Sequence, residues 1–274
     1  MKPAPFTYHR PTTLPEAFSL WETEGGDAAW LAGGQSLLPA MAMRLNQPTA
    51  LIDLARIPVL KGITPVGSAF RIGAMTPYAD LAADAALMSA LPLMAAALPH
   101  IAHPAIRNRG TIGGSLSLSD PAAEMPALCL ALDAVMTITG PDGARDVPAA
   151  DFTCGLYETA LQPGELLTHI TIPVQRTAPW TFRETTRRHG DYALAGLAAI
   201  GGDDPRVVWF GLSTHARRDG AAEQAIARGA DTDSILAAAL QDIDIMGDSV
   251  TGEETRAHLA RVLLRRALTD WGTA

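Results

Sequence analysis

The apolar positions of the first fifty residues switch between two periods. Leu14, Ala17, Phe18 and Trp21 recur at the 3/4 spacing of an amphipathic helix, with Thr13 where an N-cap belongs. Gly25-Gly26 ends that pattern. Residues 28–32 are an apolar run of strand length that meets Gly33-Gly34-Gln35-Ser36. A helical pattern then continues to Leu45, Pro48 closes it, and residues 50–54 predict a second strand. Strand, glycine turn, helix and strand in this order predict a parallel βαβ crossover.

Beyond Ile57 the elements shorten. The pattern predicts strands at 70–74, 134–139 and 166–172, the second ended by the turn Pro141-Asp142-Gly143 and the third by Pro173. Helices are predicted at 77–86, opened by Thr76, at 92–98 and at 121–132. The stretch 103–115 is rich in breakers and polar groups and reads as a loop. Residues 173–179 mark a boundary. After it come runs at 181–186, 193–201 and 207–212 with the lengths of antiparallel strands, then helices at 233–240 and 252–269. In the last helix Arg261, Arg265 and Arg266 read as a solvated face.

Length and composition narrow the class. The chain has 274 residues, enough for two domains. Hydrophobic residues make up 48% and charged residues 18%, which excludes the signature of disorder. Lys and Arg total 21 against 29 Asp and Glu, a net charge of −8, so nucleic acid is a poor partner. The most apolar stretch, 85–102, is broken by Pro92 and Pro99, so no transmembrane segment is expected. The prolines of MKPAPFTYHRP stand where a signal peptide needs its apolar run, and a cytoplasmic location follows. Cys129 and Cys154 are the two cysteines, too few for a structural zinc site or an iron–sulfur cluster held by this chain alone.

Two glycine pairs carry the candidate chemistry, Gly33-Gly34-Gln35-Ser36 and Gly113-Gly114-Ser115. Paired glycines let a backbone approach a ligand closely and aim N–H groups at it, as a diphosphate requires. An ordinary pair of loop glycines is the plain alternative. No GxGxxG follows a strand and no GxxxxGK[ST] occurs, so neither a Rossmann site nor a P-loop is supported. Neither pair has an adjacent Lys, which points to a neutral, backbone-led diphosphate site. Asp120 and Glu124 suit the first turn of a helix, and one of them could also accept hydrogen bonds from ribityl or ribose hydroxyls. His100 and His103 have metal-ligand spacing, but Pro99 and Pro104 break the helix that would align them. Tyr192, in Arg187-Arg188-His189-Gly190-Asp191-Tyr192, either packs on a strand or lays its ring on a planar cofactor.

Ala32-Gly33-Gly34-Gln35-Ser36-Leu37-Leu38-Pro39 resembles the first FAD motif of the medium, flavin-binding subunits of molybdenum hydroxylases, the carbon monoxide dehydrogenase and xanthine dehydrogenase family. Ile106-Arg107-Asn108-Arg109-Gly110-Thr111-Ile112-Gly113-Gly114-Ser115, followed by Asp120-Pro121-Ala122-Ala123-Glu124, is similar to the second. Gly164-Glu165-Leu166-Leu167, Arg188-His189-Gly190-Asp191-Tyr192-Ala193 and the tail around Arg266-Ala267-Leu268 match further signatures, so the resemblance spans essentially the whole chain.

The resemblance implies an α+β fold: a two-subdomain FAD-binding (PCMH-type) domain over residues 1–176, divided at about 56, then a C-terminal domain over 177–274 with a small antiparallel sheet and a helical bundle. It implies FAD as cofactor, lined by Leu31, Ala32, Gly33, Gly34, Gln35, Ser36, Leu37 and Leu38, and by Thr111, Gly113, Gly114 and Ser115. Glu124 stands where the family often has an Asp on a cofactor hydroxyl, and Leu167 and Tyr192 fall near the isoalloxazine, with Tyr192 at its face. Arg183 lies where some relatives carry a Lys near the flavin. No residue need act as a catalytic acid or base, and no metal ligand is expected. The implied function is electron transfer in a heterotrimer, in company with a large molybdopterin-binding subunit and a small subunit with two [2Fe-2S] clusters, the trimer itself dimerising. A free-standing FAD-dependent oxidase or dehydrogenase with its own substrate pocket is the alternative.

Overall fold

In the computed structural model the described residues are 2–272. Met1, Thr273 and Ala274, at the outer ends of the expected domains, lie outside them. The first unit holds β1 (Thr7–His9), α1 (Leu14–Thr23), β2 (Ala28–Leu31), α2 (Leu37–Ala42) and β3 (Ala50–Asp53). Its sheet has the order β1-β3-β2 and is parallel throughout, with Leu31 beside Asp53, so the crossover expected from the pattern forms. Thr13 caps α1, its hydroxyl accepting the Glu16 N–H at 3.3 Å, and Ala17 and Phe18 are buried against the sheet. The carboxyl end of β2 leads directly into Ala32 and Gly33, the side of a parallel sheet on which ligands gather.

The second unit contains β4 (Ile63–Val66), β5 (Ala69–Gly73), α3 (Tyr78–Ala83), α4 (Ala85–Ala90), α5 (Pro92–Ala97), α6 (Pro104–Arg107), α7 (Ile112–Leu118) and α8 (Glu124–Ala131). After these come β6 (Val135–Gly140), β7 (Gly143–Pro148), α9 (Ala149–Phe152), β8 (Thr153–Gly155), β9 (Glu158–Thr159) and β10 (Leu166–Pro173). Its main sheet is antiparallel, β4-β5-β10-β6-β7, and β8 with β9 makes a separate hairpin.

Four local expectations change here. The helix expected at 77–86 divides at Asp84, whose carboxylate accepts the Leu87 N–H at 2.8 Å and starts α4. Thr76 does not cap α3; its buried hydroxyl accepts the Gly62 N–H at 3.0 Å and donates to the Gly62 carbonyl at 3.2 Å. The second glycine pair is no turn. Gly113 and Gly114 lie in the first turn of α7, behind Thr111 as N-cap. The helix expected from 121 starts only at Glu124, because the Asp120 carboxylate accepts the Ala122 N–H at 2.9 Å and holds a turn there.

The third unit contains β11 (Trp180–Thr185), β12 (Ala195–Ile200), β13 (Arg206–Phe210), β14 (Arg217–Arg218), α10 (Gly220–Ala227), α11 (Thr232–Ala238) and α12 (Glu253–Asp270). Its antiparallel sheet follows chain order. β12 is buried on both faces, and period-two alternation divides its contacts. Ala195, Leu197 and Ala199 pack with Leu263, Leu264 and Leu268 of α12, while Ala198 and Ile200 join the core of the second unit. α8, buried along its whole length, runs beneath β12 and β13 and binds the two units together. Arg261, Arg265 and Arg266 face solvent, as their spacing predicts.

Candidate functional site

All three units meet around one cavity of about 1630 Å³. Its first wall is the segment after β2. Gly34 has φ +72°, a left-handed conformation that side chains with a Cβ adopt at a cost, and it reverses the chain into α2. The Gln35 side-chain amide donates to the Gly33 carbonyl at 3.0 Å and braces the turn. Ala32, Gly33, Gly34, Gln35, Ser36 and Leu37 line the cavity. Leu31 and Leu38 do not; their side chains close around Gly34 from behind.

Thr111, Gly113, Gly114 and Ser115 of the α7 turn form the second wall. The Thr111 hydroxyl accepts the Gly114 N–H at 3.1 Å, and the Gly113 N–H donates to the Ala74 carbonyl at 2.8 Å. The two glycine segments, about eighty residues apart in sequence, face each other. A Cβ on Gly33 would strike the Arg109 carbonyl, and one on Gly114 would come within 3.3 Å of the Ala32 Cβ. Gly33 is therefore glycine first because two backbones touch, and Gly113, against the Ala74 backbone, shares that constraint, a requirement that the expectation of ligand approach alone did not contain. Arg187 and Arg256 are the Lys or Arg residues among the lining residues, and both belong to the third unit. The first glycine wall thus offers backbone donors and both walls offer hydroxyls, without a cation, as a neutral diphosphate site requires.

The floor is acidic. Glu124 opens α8, buried, and burial raises its carboxyl to about 7, with the charges of Glu184 and Asp120 pushing the same way. Asp120 accepts a hydrogen bond from the Tyr157 hydroxyl at 3.0 Å. Tyr157, at the tip of the β8–β9 hairpin, and Tyr192, from the third unit, are both exposed and both line the cavity. Burial, and then the neighbouring Asp120 carboxylate, raise the Tyr157 phenol to about 12. Tyr192 is raised too, by burial and the Asp120 and Glu124 charges, so both phenols stay protonated at neutral pH. Leu167 reaches the cavity from β10, next to an irregularity in the β6 pairing.

Several lining residues carried no signal that distinguished them in the sequence. Tyr157 stands in an unremarkable Leu156-Tyr157-Glu158 context. Trp21 and Trp30 are individually core-like, yet they stack at 4.6 Å between centroids and 20° between planes on the cavity wall. Arg256, in α12, donates to the Leu194 carbonyl at 3.0 Å, to the Gly211 carbonyl and to Asp248, and so holds the third unit's end of the cavity together. The remaining candidates are divided. Arg183 pairs with Asp270 at 2.5 Å and is not among the lining residues. His100 engages Glu184 while His103 lines the cavity, and among the described residues no group of three or more His, Cys, Asp or Glu is placed to hold a metal ion.

The arrangement suits a long, partly aromatic ligand with a central diphosphate. The cavity exceeds the roughly 300–1,000 Å³ of drug-sized sites. Backbone donors, hydroxyls, aromatic faces and carboxylate acceptors are the kinds of group a flavin dinucleotide engages.

Comparison with known proteins agrees. Residues 4–175 match the family described as the FAD binding domain in molybdopterin dehydrogenase. The carbon monoxide dehydrogenase medium chain of Hydrogenophaga pseudoflava is 37% identical over 98% of this chain and 97% of its own length. The nicotine 6-hydroxylase medium subunit of Paenarthrobacter nicotinovorans is 43% identical over 73% of this chain and 70% of its own. Among solved structures, carbon monoxide dehydrogenase from Hydrogenophaga pseudoflava superposes with TM-score 0.94 at 37% identity, covering 99% of both chains. Quinoline 2-oxidoreductase from Pseudomonas putida 86 superposes with TM-score 0.93 at 33% identity, covering 99% of this chain and 98% of that one. With a family match over more than half its length and relatives alike across nearly all of it, the chain belongs to the FAD-binding domain family of molybdopterin dehydrogenases and is an oxidoreductase chain.

Proposed function

We propose that this chain is the FAD-binding electron-transfer subunit of a heterotrimeric molybdenum hydroxylase in the cytoplasm. The observation that carries the reading is the meeting of the two glycine segments, Ala32 to Ser36 and Thr111 to Ser115, on one cavity free of cations at that end. Backbone N–H groups of the first segment, and the hydroxyls of Ser36, Thr111 and Ser115, bind the diphosphate there, the α7 amides being held by Thr76, Ala74 and Thr111. Leu31 and Leu38 fix the turn at Gly34. Glu124 accepts from a cofactor hydroxyl, Leu167 bounds the ring pocket and Tyr192 covers a ring face. FAD, when bound, collects electrons singly from the [2Fe-2S] clusters of a small partner subunit and passes them to an external acceptor. Substrate is oxidised in the large molybdopterin-binding subunit, and the heterotrimer pairs as a dimer. Residues 1–176, with subdomains 1–56 and 57–176, carry the cofactor, and residues 177–274 close it in.

The test is direct. Purified chain should be yellow, with about one FAD per chain by extraction, and the complex expressed from its neighbouring genes should bring down the two partner subunits. A colourless chain that takes up no FAD overturns the reading. A flavin-loaded monomer that turns over an organic substrate unaided replaces it with the free-standing enzyme.

A further inference from the structure

Glu184 of β11 is a buried acid with half its hydrogen-bonding capacity unused. Its side chain is 3% exposed, Oε1 meets His100 Nδ1 at 3.2 Å, and Oε2 is buried without a partner. His100 is part-exposed and sets its ring edge-on to that of His189 at 5.7 Å, and His189 is open to solvent. On the inner side the Glu184 charge acts on Glu124, which lines the cavity. Of the elements packed on β11, α5 and β12 bring no titratable side chain, and α12 brings Asp270, held by Arg183. Asp120 is the other charge acting on Glu124. Nothing in the architecture of the third unit explains why an acid with one oxygen unsatisfied is kept here at the cost of its desolvation.

We propose that His189, His100, Glu184 and Glu124 form a proton inlet from solvent to the cofactor cavity. This rests on the FAD reading above. Iron–sulfur clusters deliver electrons without protons, whereas storing a pair follows FAD + 2e⁻ + 2H⁺ → FADH2. The electrons come from the partner clusters and the protons from water. Each proton that Glu124 gives up to the reduced flavin is replaced from Glu184, whose Oε2 donates it through a bridging water. Glu184 is reloaded by the His100 Nδ1–H as the other ring nitrogen takes a proton from solvent. The carboxyls end each cycle as they began. Burial raises Glu184 to about 7 and lowers His100, which places the acids near neutrality and the imidazole in its neutral, accepting form, as a relay at cellular pH requires.

The experiment uses the FAD-loaded chain and its Glu184→Gln and Glu184→Asp variants. Flavin reduction by reduced methyl viologen, which carries electrons without protons, is followed by stopped flow across pH 5 to about 9, in H2O and D2O. Wild type should slow as pH rises through about 7 and slow again in D2O. Glu184→Gln should hold the same FAD, reduce about tenfold or more slowly, lose the isotope effect and move the pH break, then that of Glu124 alone, to lower pH, with Glu184→Asp restoring the wild-type profile. Infrared titration of the FAD-free proteins supplies a second readout: Glu184→Gln should remove one protonated-carboxyl band. A Glu184→Gln variant with the wild-type pH profile and isotope effect overturns the inlet while leaving the cofactor reading intact. A wild-type chain that binds no FAD overturns both.

Discussion

Gly33 rests directly on the main-chain carbonyl of Arg109, and through this contact the loop that follows β2 is locked to the loop that precedes α7. Gly110 Cα lies 2.9 Å from where a Gly33 Cβ would be, so the neighbours are backbone and have no rotamer through which to yield. The cavity exists because these two loops are fixed against each other. The glycine motif is a joint between subdomains before it is a ligand contact.

Gly33→Ala should therefore destabilise the FAD-free chain by about 1–3 kcal/mol, the usual cost of an unrelieved overpacking. Chemical denaturation without added flavin checks this. A variant as stable as wild type when FAD-free, yet unable to hold FAD, would mean that the glycine serves the ligand alone.

What could be read from the sequence follows burial. β12 and β13 announce themselves as apolar runs because both are enclosed, and α1 does so because one face alone is buried. β1 is three residues long, too short for any period to show, and β7 presents an exposed Gly-Ala-Arg-Asp-Val-Pro edge with no alternation. The breaker-rich stretch before Ser115 reads as loop on propensity, yet tertiary contacts with Ala74 and Tyr78 turn part of it into α6 and α7. The glycine pairs were legible as candidates because local composition marks them. Tyr157, the Trp21–Trp30 stack and Arg256 were not, since each matters only through a partner distant in sequence.

The third unit hinges on Asp219. Its carboxylate accepts from Trp209 Nε1 at 2.9 Å, the Leu240 N–H at 2.8 Å and the Ala222 N–H at 3.0 Å, all buried. Asp219→Ala strands these donors and should cost about 3 kcal/mol or more. Unfolding followed by tryptophan fluorescence measures it, and a loss below about 1 kcal/mol would show that water replaces the carboxylate.

Tyr192 is exposed and lines the cavity, and under the proposed function its ring covers a flavin face. A tyrosine in contact with a flavin ring quenches its fluorescence. Tyr192→Ala should leave FAD content near wild type and make the bound flavin brighter, while Tyr192→Phe should restore part of the quenching. Unchanged emission in Tyr192→Ala would place the ring elsewhere in the cavity. Tyr157→Phe, which keeps the ring and loses the bond to Asp120, should shift stability by no more than about 1 kcal/mol.

Glu184 also makes stability depend on pH in a direction opposite to that of most carboxylates. Its folded-state value, raised to about 7 chiefly by burial, lies above the ordinary 4.5, so the folded chain binds the proton more tightly than the unfolded chain. Its contribution is fully present below about 4.5 and is lost as pH rises through 7. Glu184→Gln is neutral at every pH and keeps an oxygen and a nitrogen for His100. The variant should match wild type at pH 5 and exceed it at pH 8 by about 1–2 kcal/mol, after allowance for screening through the part-exposed His100. Denaturant midpoints at the two pH values decide the matter. A difference that stays constant between them would mean that Glu184 is ionised throughout, and that water or His100 already compensates its charge.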